Sequence, residues 1–244
     1  MAEALTRAAP YGRRFGLVYF ALAVVVGAAA GSAIVLLARG GHERSPWAAW
    51  RPTVPGDFKT KEIVNHVATA YRLEDGRPLV DISTGDPFPS VVTEVATPSI
   101  AAGIGRETPI YDASTTRMFV FCGAGKNCSV PGQATAARAQ LLRREAVELA
   151  LYTFKYVHTD SVVEFLPGRE KRRPDFAFFF LRKELGPFLS QPLKATLARS
   201  GPMSPAQVDQ AEARRVDTLT LSHLFHFELQ PSQTGGGLLV LDRG

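Results

Sequence analysis

Residues 15–38 carry no charged side chain. These 24 residues would make a helix about 36 Å long, against a hydrocarbon core of roughly 30 Å. Arg13 and Arg14 close the run on one side and Arg39 on the other. Core helices seldom extend this far without a charge. The apolar region of a cleaved signal peptide is shorter, about 7–15 residues, and ends at a small-residue cleavage site. Here Arg39-Gly40-Gly41-His42 follows the run and makes a poor one. The segment therefore reads as an uncleaved signal-anchor, a single transmembrane helix preceded by a short tail over residues 1–14. Arg7, Arg13 and Arg14 before it nearly balance Arg39, Arg44 and Arg51 after it, so positive charge alone does not set the orientation.

Ala23, Gly27 and Gly31 recur every four residues and share one helix face. Without side chains in the way, a second helix backbone can approach that face. Homodimerisation through it, or pairing with another membrane protein, is one reading. The other is that small residues are simply common in membrane helices.

Composition restricts the remainder. With 45% hydrophobic and 21% charged residues the chain is not a disordered one. Its 21 glycines and 17 prolines show no period, which excludes a collagen-like chain, and two cysteines exclude a disulfide-rich miniprotein. The net charge of +5 and isoelectric point near 9.4 suggest nucleic acid until they are partitioned. Residues 1–44 hold five arginines against Glu3 and Glu43, leaving 23 basic and 21 acidic side chains for the other 200 residues. The basicity belongs to the membrane flanks, where it meets anionic headgroups. No basic and aromatic stripe suited to single strands is present, and nucleic acid is not expected as a partner. The 21 arginines against 7 lysines suggest a GC-rich, bacterial coding sequence.

Residues 39–57 read as a juxtamembrane linker, because Pro46, Pro52 and Pro55 oppose helix. It holds both tryptophans of the chain, Trp47 and Trp50. They suit either the membrane interface or docking onto the domain that follows.

Cys122 and Cys128 enclose Gly123-Ala124-Gly125-Lys126-Asn127, whose glycines and asparagine supply the positive φ of a tight reversal. A local disulfide fits, worth about 2 kcal/mol by chain entropy. Two free buried thiols are the alternative. A zinc site is not expected, since no second close pair exists. A disulfide persists only on the oxidising side of a membrane, which favours an inside tail and an outside domain. The same loop faintly echoes a phosphate-binding motif, but Val120 and Asn127 occupy two of its required positions.

Over 58–244 the pattern predicts an extracytoplasmic α+β domain, a mixed, mainly antiparallel sheet with a long packed helix across it. Helical spacing covers 59–72. Strands are expected over 79–83, 91–100 and 117–122. The longest helix runs over 133–157, with stripes at Leu142, Ala146, Leu149, Thr153, Tyr156 and at Val147, Leu151, Phe154. Its charged strip is narrow, Arg144, Glu148 and Lys155, so two sides should be packed. Strands over 161–166 and 175–182 follow, the latter apolar enough for burial on both faces. Helices are expected at 188–199 and from Ser204-Pro205 to 215, then a long alternating strand over 217–229 and a last strand over 238–241.

On that alternation His223 falls on the apolar face, while His226 and Glu228 share the wet face and offer a candidate ligand site. The two histidines then point apart and cannot chelate one ion. A solvated His226–Glu228 pair is the plainer reading. His158 and Asp160 end the long helix, where an imidazolium suits the dipole. Arg169, Lys171, Arg172 and Arg173 crowd one loop that could meet headgroups, an anionic wall polymer or an acidic partner. No nucleophile elbow, zincin motif or cofactor signature is present, so no catalytic, metal or cofactor residue is assigned.

The sequence thus points to a single-pass membrane protein with a noncatalytic binding or assembly domain in the cell envelope. Its expected partners are membrane lipid, a second copy through the span, and an envelope protein or anionic polymer. The alternatives are a membrane-tethered enzyme using dispersed residues such as His226, Glu228 and His158, and a cytoplasm-facing, lipid-associated domain.

Overall fold

The apolar segment Phe176–Leu181 becomes a strand in the middle of a sheet, as a run with no wet face must. The computed structural model describes residues 46–56, 58–88, 91–98, 108–168, 174–198, 203–233 and 235–243, together with Val25. The expected span with Ala23, Gly27 and Gly31 lies outside the described residues apart from Val25, and so does the loop of Arg169, Lys171, Arg172 and Arg173. Among the described residues no helix is long and apolar enough to cross a membrane.

In chain order the elements are α1 (Phe58–Ala68), β1 (Asp81–Thr84), β2 (Val92–Ala96), β3 (Ile110–Asp112), β4 (Thr116–Cys122), α2 (Ala136–Tyr156), β5 (Ser161–Phe165), β6 (Phe176–Leu181), α3 (Arg182–Leu189), α4 (Gln210–Thr220), β7 (Leu224–Pro231) and β8 (Gly237–Asp242). The fold is α+β, with a mixed eight-stranded sheet in the order β1-β4-β5-β6-β7-β8-β2-β3. The β4–β5 and β2–β8 pairs are parallel and the others antiparallel.

Alternation along the strands divides two cores. Phe119, Phe121, Val162, Phe178 and Phe180 face the helices, where α2 lies between the sheet, α1 and α4. Val163, Phe165, Ala177, Phe179, Phe225 and Leu239 fill the other face. The sheet curls around this second core. β3 runs into β4 through one 3-10 turn, Ala113–Thr115, although the two strands stand far apart in the sheet order. Tyr111 of β3 consequently packs on Phe179 of β6, ring centres 5.2 Å apart.

The apolar spacing explains α1 directly, since Thr60, Ile63, Val64 and Val67 are its buried positions. The helix stops at Ala68, short of the expected 72, and the chain turns so that Tyr71 enters the core. α2 begins at Thr135, whose hydroxyl accepts from the Arg138 amide at 3.2 Å. It is buried nearly throughout from Gln140 to Phe154.

Four expectations need correction. No helix spans 188–199: α3 starts at the end of β6, and Pro192 with φ −57° and ψ 139° separates it from a 3-10 turn at Leu193–Ala195. The strand over 217–229 is half helix, because α4 continues to Thr220 and β7 starts only at Leu224. Glu212, Val216, Leu219 and Thr220 carry the helical spacing beneath the apparent alternation. Thr218 and Thr220 return their hydroxyls to the Arg214 and Val216 carbonyls, which keeps both inside the helix. The start expected at Ser204-Pro205 is a 3-10 turn, Pro205–Gln207, with a capping box, and Asp209 caps α4 itself. Finally, Arg144 and Glu148 do not form a wet strip on α2: they are 2% and 5% exposed, and only Lys155 of the three is in solvent.

Candidate functional site

The most unusual chemistry lies on α2 itself. Arg144 and the adjacent Glu145, with Glu148 one turn on, lie in a stretch of helix buried on every side. Arg144 donates from Nε to Glu212 of α4, and from Nη1 to the Tyr71 hydroxyl and to Glu148 at 3.0 Å. The Tyr71 hydroxyl donates to the same Glu148 oxygen. Glu212 completes the set by accepting from the Ala198 amide at 3.1 Å. A buried cation is thereby enclosed by two carboxylates and a phenol, the arrangement that burial of a charge requires.

Electrostatics follow the geometry. Burial disfavours the Arg144 charge, but Tyr71, Glu148 and Glu212 hold its pKa above the usual guanidinium value. Burial and then Glu148 push the Tyr71 phenol well up. Burial also raises Glu148, against the pull of Arg144 and Tyr71.

Glu145 and Glu164 stand apart from this network. Both are fully buried, and none of their four carboxyl oxygens has a hydrogen-bond partner among the described residues. Glu164 lies in β5 between Phe119 of β4 and Phe178 of β6, on the face turned to α2. Burial raises both carboxyls well above their ordinary range, helped by Glu148 at Glu145 and by Glu145 at Glu164. Sequence reading missed this pair. The available signal was Glu164 itself, a carboxylate inside a five-residue strand that is otherwise apolar or small.

A groove lies elsewhere, beside the cysteine loop. It measures about 880 Å³ and is lined by Gly125, Lys126, Ser129 and Val130 of the cysteine loop, by the start of α2 and by Pro167 and Gly168. Cys122 and Cys128 lie at disulfide distance, 2.08 Å between sulfurs. The Gly123 amide donates to the Cys128 carbonyl and the Gly125 amide to the Ser129 carbonyl, each at 2.8 Å. A β-carbon at Gly123 would meet the Ser129 carbonyl oxygen at 2.3 Å, so the close turn requires glycine there. No carboxylate or imidazole lines the groove among the described residues.

The other candidate residues do not converge. His223 sits in a 3-10 turn rather than on a strand face, with Nε2 3.1 Å from Glu184 and Nδ1 3.0 Å from Ser222. His226 and Glu228 do share a face of β7, but the His226 ring lies on Phe176 at 3.9 Å and Glu228 is exposed. His158 is exposed beyond the end of α2. It lies near Ser161, which pairs with Leu181, whereas His226 pairs with Phe176. The two histidines thus sit at opposite ends of β6, about 17 Å apart at a strand's rise per residue. No group of three metal-binding side chains forms among the described residues. The end of α2 is not capped by His158. Arg182 takes that role, donating to the Phe154 and Val157 carbonyls at 2.7 Å each and also to Thr159.

Of the two settings open to the tryptophans, the domain holds them. Trp50 stacks on His66 at 3.9 Å, and Trp47 meets Tyr152 and Tyr156 edge-on. The Leu193 amide donates to the Trp47 carbonyl and the Trp47 indole to the Phe188 carbonyl. Compared with family models, with curated proteins and with solved structures, the chain shows no significant match to any of them.

Proposed function

We propose that this chain is a single-pass membrane protein whose short N-terminal tail is cytoplasmic and whose folded domain lies outside, binding or assembling with an envelope partner. One observation carries the binding role. A groove of about 880 Å³ is walled by a cysteine-closed loop and apolar side chains, with Lys126 and Arg138 but no carboxylate or imidazole among its described lining. Such a surface suits recognition of a partner's shape. The charge-free run over 15–38 supports the anchor, and the cysteine pair supports an oxidising compartment. Anionic polymer or an acidic protein at the loop of Arg169, Lys171, Arg172 and Arg173, and self-association through Ala23, Gly27 and Gly31, belong to the same proposal. The dispersed-enzyme reading draws no support, since His158 and His226 stand at opposite ends of β6.

Thiol alkylation by a membrane-impermeant reagent on intact cells tests the topology. Cys122 and Cys128 should react only after a reductant is added. Thiols that react solely after the membrane is broken, with no reductant needed, would overturn it.

A further inference from the structure

We infer that the surface formed by the 51–56 segment and the start of α1 is the face of the domain that seats on the bilayer, its ligand being the anionic headgroups around its own anchor. The inference rests on the membrane reading above.

Phe58 opens α1 with 69% of its surface in solvent, and Val54 beside it is 37% exposed. Val91, Ile110 and Leu221 are the other large apolar side chains so exposed among the described residues of the domain, and of these Phe58 has a lysine against its ring. Phe58 and Val54 are not loosely placed. Glu62 of α1 accepts from the Thr53 and Val54 amides at 2.8 and 3.0 Å and from the Thr53 hydroxyl at 3.0 Å, which pins the segment along the helix. The Val54 amide, with the Thr53 groups, keeps that carboxylate below its ordinary pKa, so it stays bonded to backbone while the cations around it remain outward. Arg51 and Lys61 are exposed and Lys59 half exposed, and the Lys61 ammonium lies 5.8 Å from the Phe58 ring centre. Over residues 51–62 the sequence sets these three cations against Asp57 and Glu62, and the Glu62 carboxylate is taken up by Thr53 and Val54. An apolar side chain with an ammonium beside it is what an anionic interface takes up: the ring enters the headgroup layer and the ammonium stays with the phosphates.

Chain length makes the bilayer, rather than a distant partner, the occupant. The charge-free run ends at residue 38 and the described domain begins at 46, so seven residues separate them, and residues 38 and 46 stand at most about 27 Å apart when the chain is fully extended. The 46–50 segment is already docked through Trp47 and Trp50. The tether therefore keeps residue 46, and the 51–61 segment that follows it, within reach of the bilayer.

The test uses the full chain in vesicles containing phosphatidylglycerol, with a nitroxide at Phe58→Cys and, separately, at Leu221→Cys, an exposed apolar position in another part of the domain. Collision with a water-soluble nickel chelate and with oxygen reports depth. Position 58 should be shielded from nickel and open to oxygen, while 221 behaves as in water. Charge reversal by Arg51→Glu, Lys59→Glu and Lys61→Glu should return position 58 to water-like values, each cation being worth roughly a fivefold change in the seated population. Equal exposure at 58 and 221, or shielding at 58 that survives charge reversal, overturns the inference. A chain that alkaline carbonate extracts from the vesicles overturns the anchor as well, which separates the two failures.

Discussion

The carboxyl of Glu145 on α2 and that of Glu164 on β5 are buried within each other's electrostatic reach, and neither has a hydrogen-bond partner among the described residues. Burial raises both pKa values, so the folded protein holds protons that the unfolded chain releases above the ordinary value of 4.5. Their contribution to stability is complete below that value and is lost as pH climbs toward the raised ones. Glu164→Leu should therefore stabilise the domain by about 1–3 kcal/mol near about pH 8 and by much less near about pH 4.5. Denaturant unfolding of wild type and variant across that range checks it. An unchanged pH slope would remove the buried-acid account.

Arg144 is enclosed by Tyr71, Glu148 and Glu212. Arg144→Met is expected to lose about 3–5 kcal/mol, because it leaves carboxylates buried without their counter-ion. Adding Glu212→Leu to that variant should recover part of the loss, since the uncompensated charge goes with it. Urea midpoints for the single and double variants decide between this and a simple packing defect, for which the second change would destabilise further.

Arg182 closes the last turn of α2 through the Phe154, Val157 and Thr159 carbonyls. Arg182→Ala should lower stability by about 2–3 kcal/mol, and Lys should restore less than half, since an ammonium donates from one nitrogen and does not span acceptors that Nε and both Nη atoms reach separately. Hydrogen exchange at the Val157 amide, which bonds Thr153, should accelerate in both variants.

Trp50 stacks on His66, whose pKa burial holds below its ordinary value of 6.5. Its neutral form therefore favours folding above that value, and the contribution is lost as pH falls. The emission of the two tryptophans should change with a midpoint below 6.5. Trp50→Phe or His66→Gln should abolish the step. A step that persists in both belongs to another group.

Periodicity carried the parts of the fold that neighbouring residues determine. The extent of α2, the buried strands β5 and β6 and the closed cysteine loop all follow from local spacing and turn chemistry. The end of α4, beyond residue 215, escaped because Leu219 and Leu221 satisfy a two-residue alternation while Val216, Leu219 and Thr220 satisfy a helical one. A short window cannot separate the two, and packing against α2 selects the helix.

The sequence by itself determined a charge-free run long enough for a bilayer, a domain with ample apolar residues for its own core, and a cysteine pair close enough to join. Only the tertiary structure decided what surrounds the charges. Arg144 reads as solvated on a helical wheel, yet its partner Tyr71 stands 73 residues away and Glu212 stands 68 residues away. Tryptophans suited to a membrane surface found Tyr152 and His66 first. Spacing reports how polar one face of an element is. It does not report which distant side chain will be packed against that face, and for a buried charge that neighbour decides whether the site is stable at all.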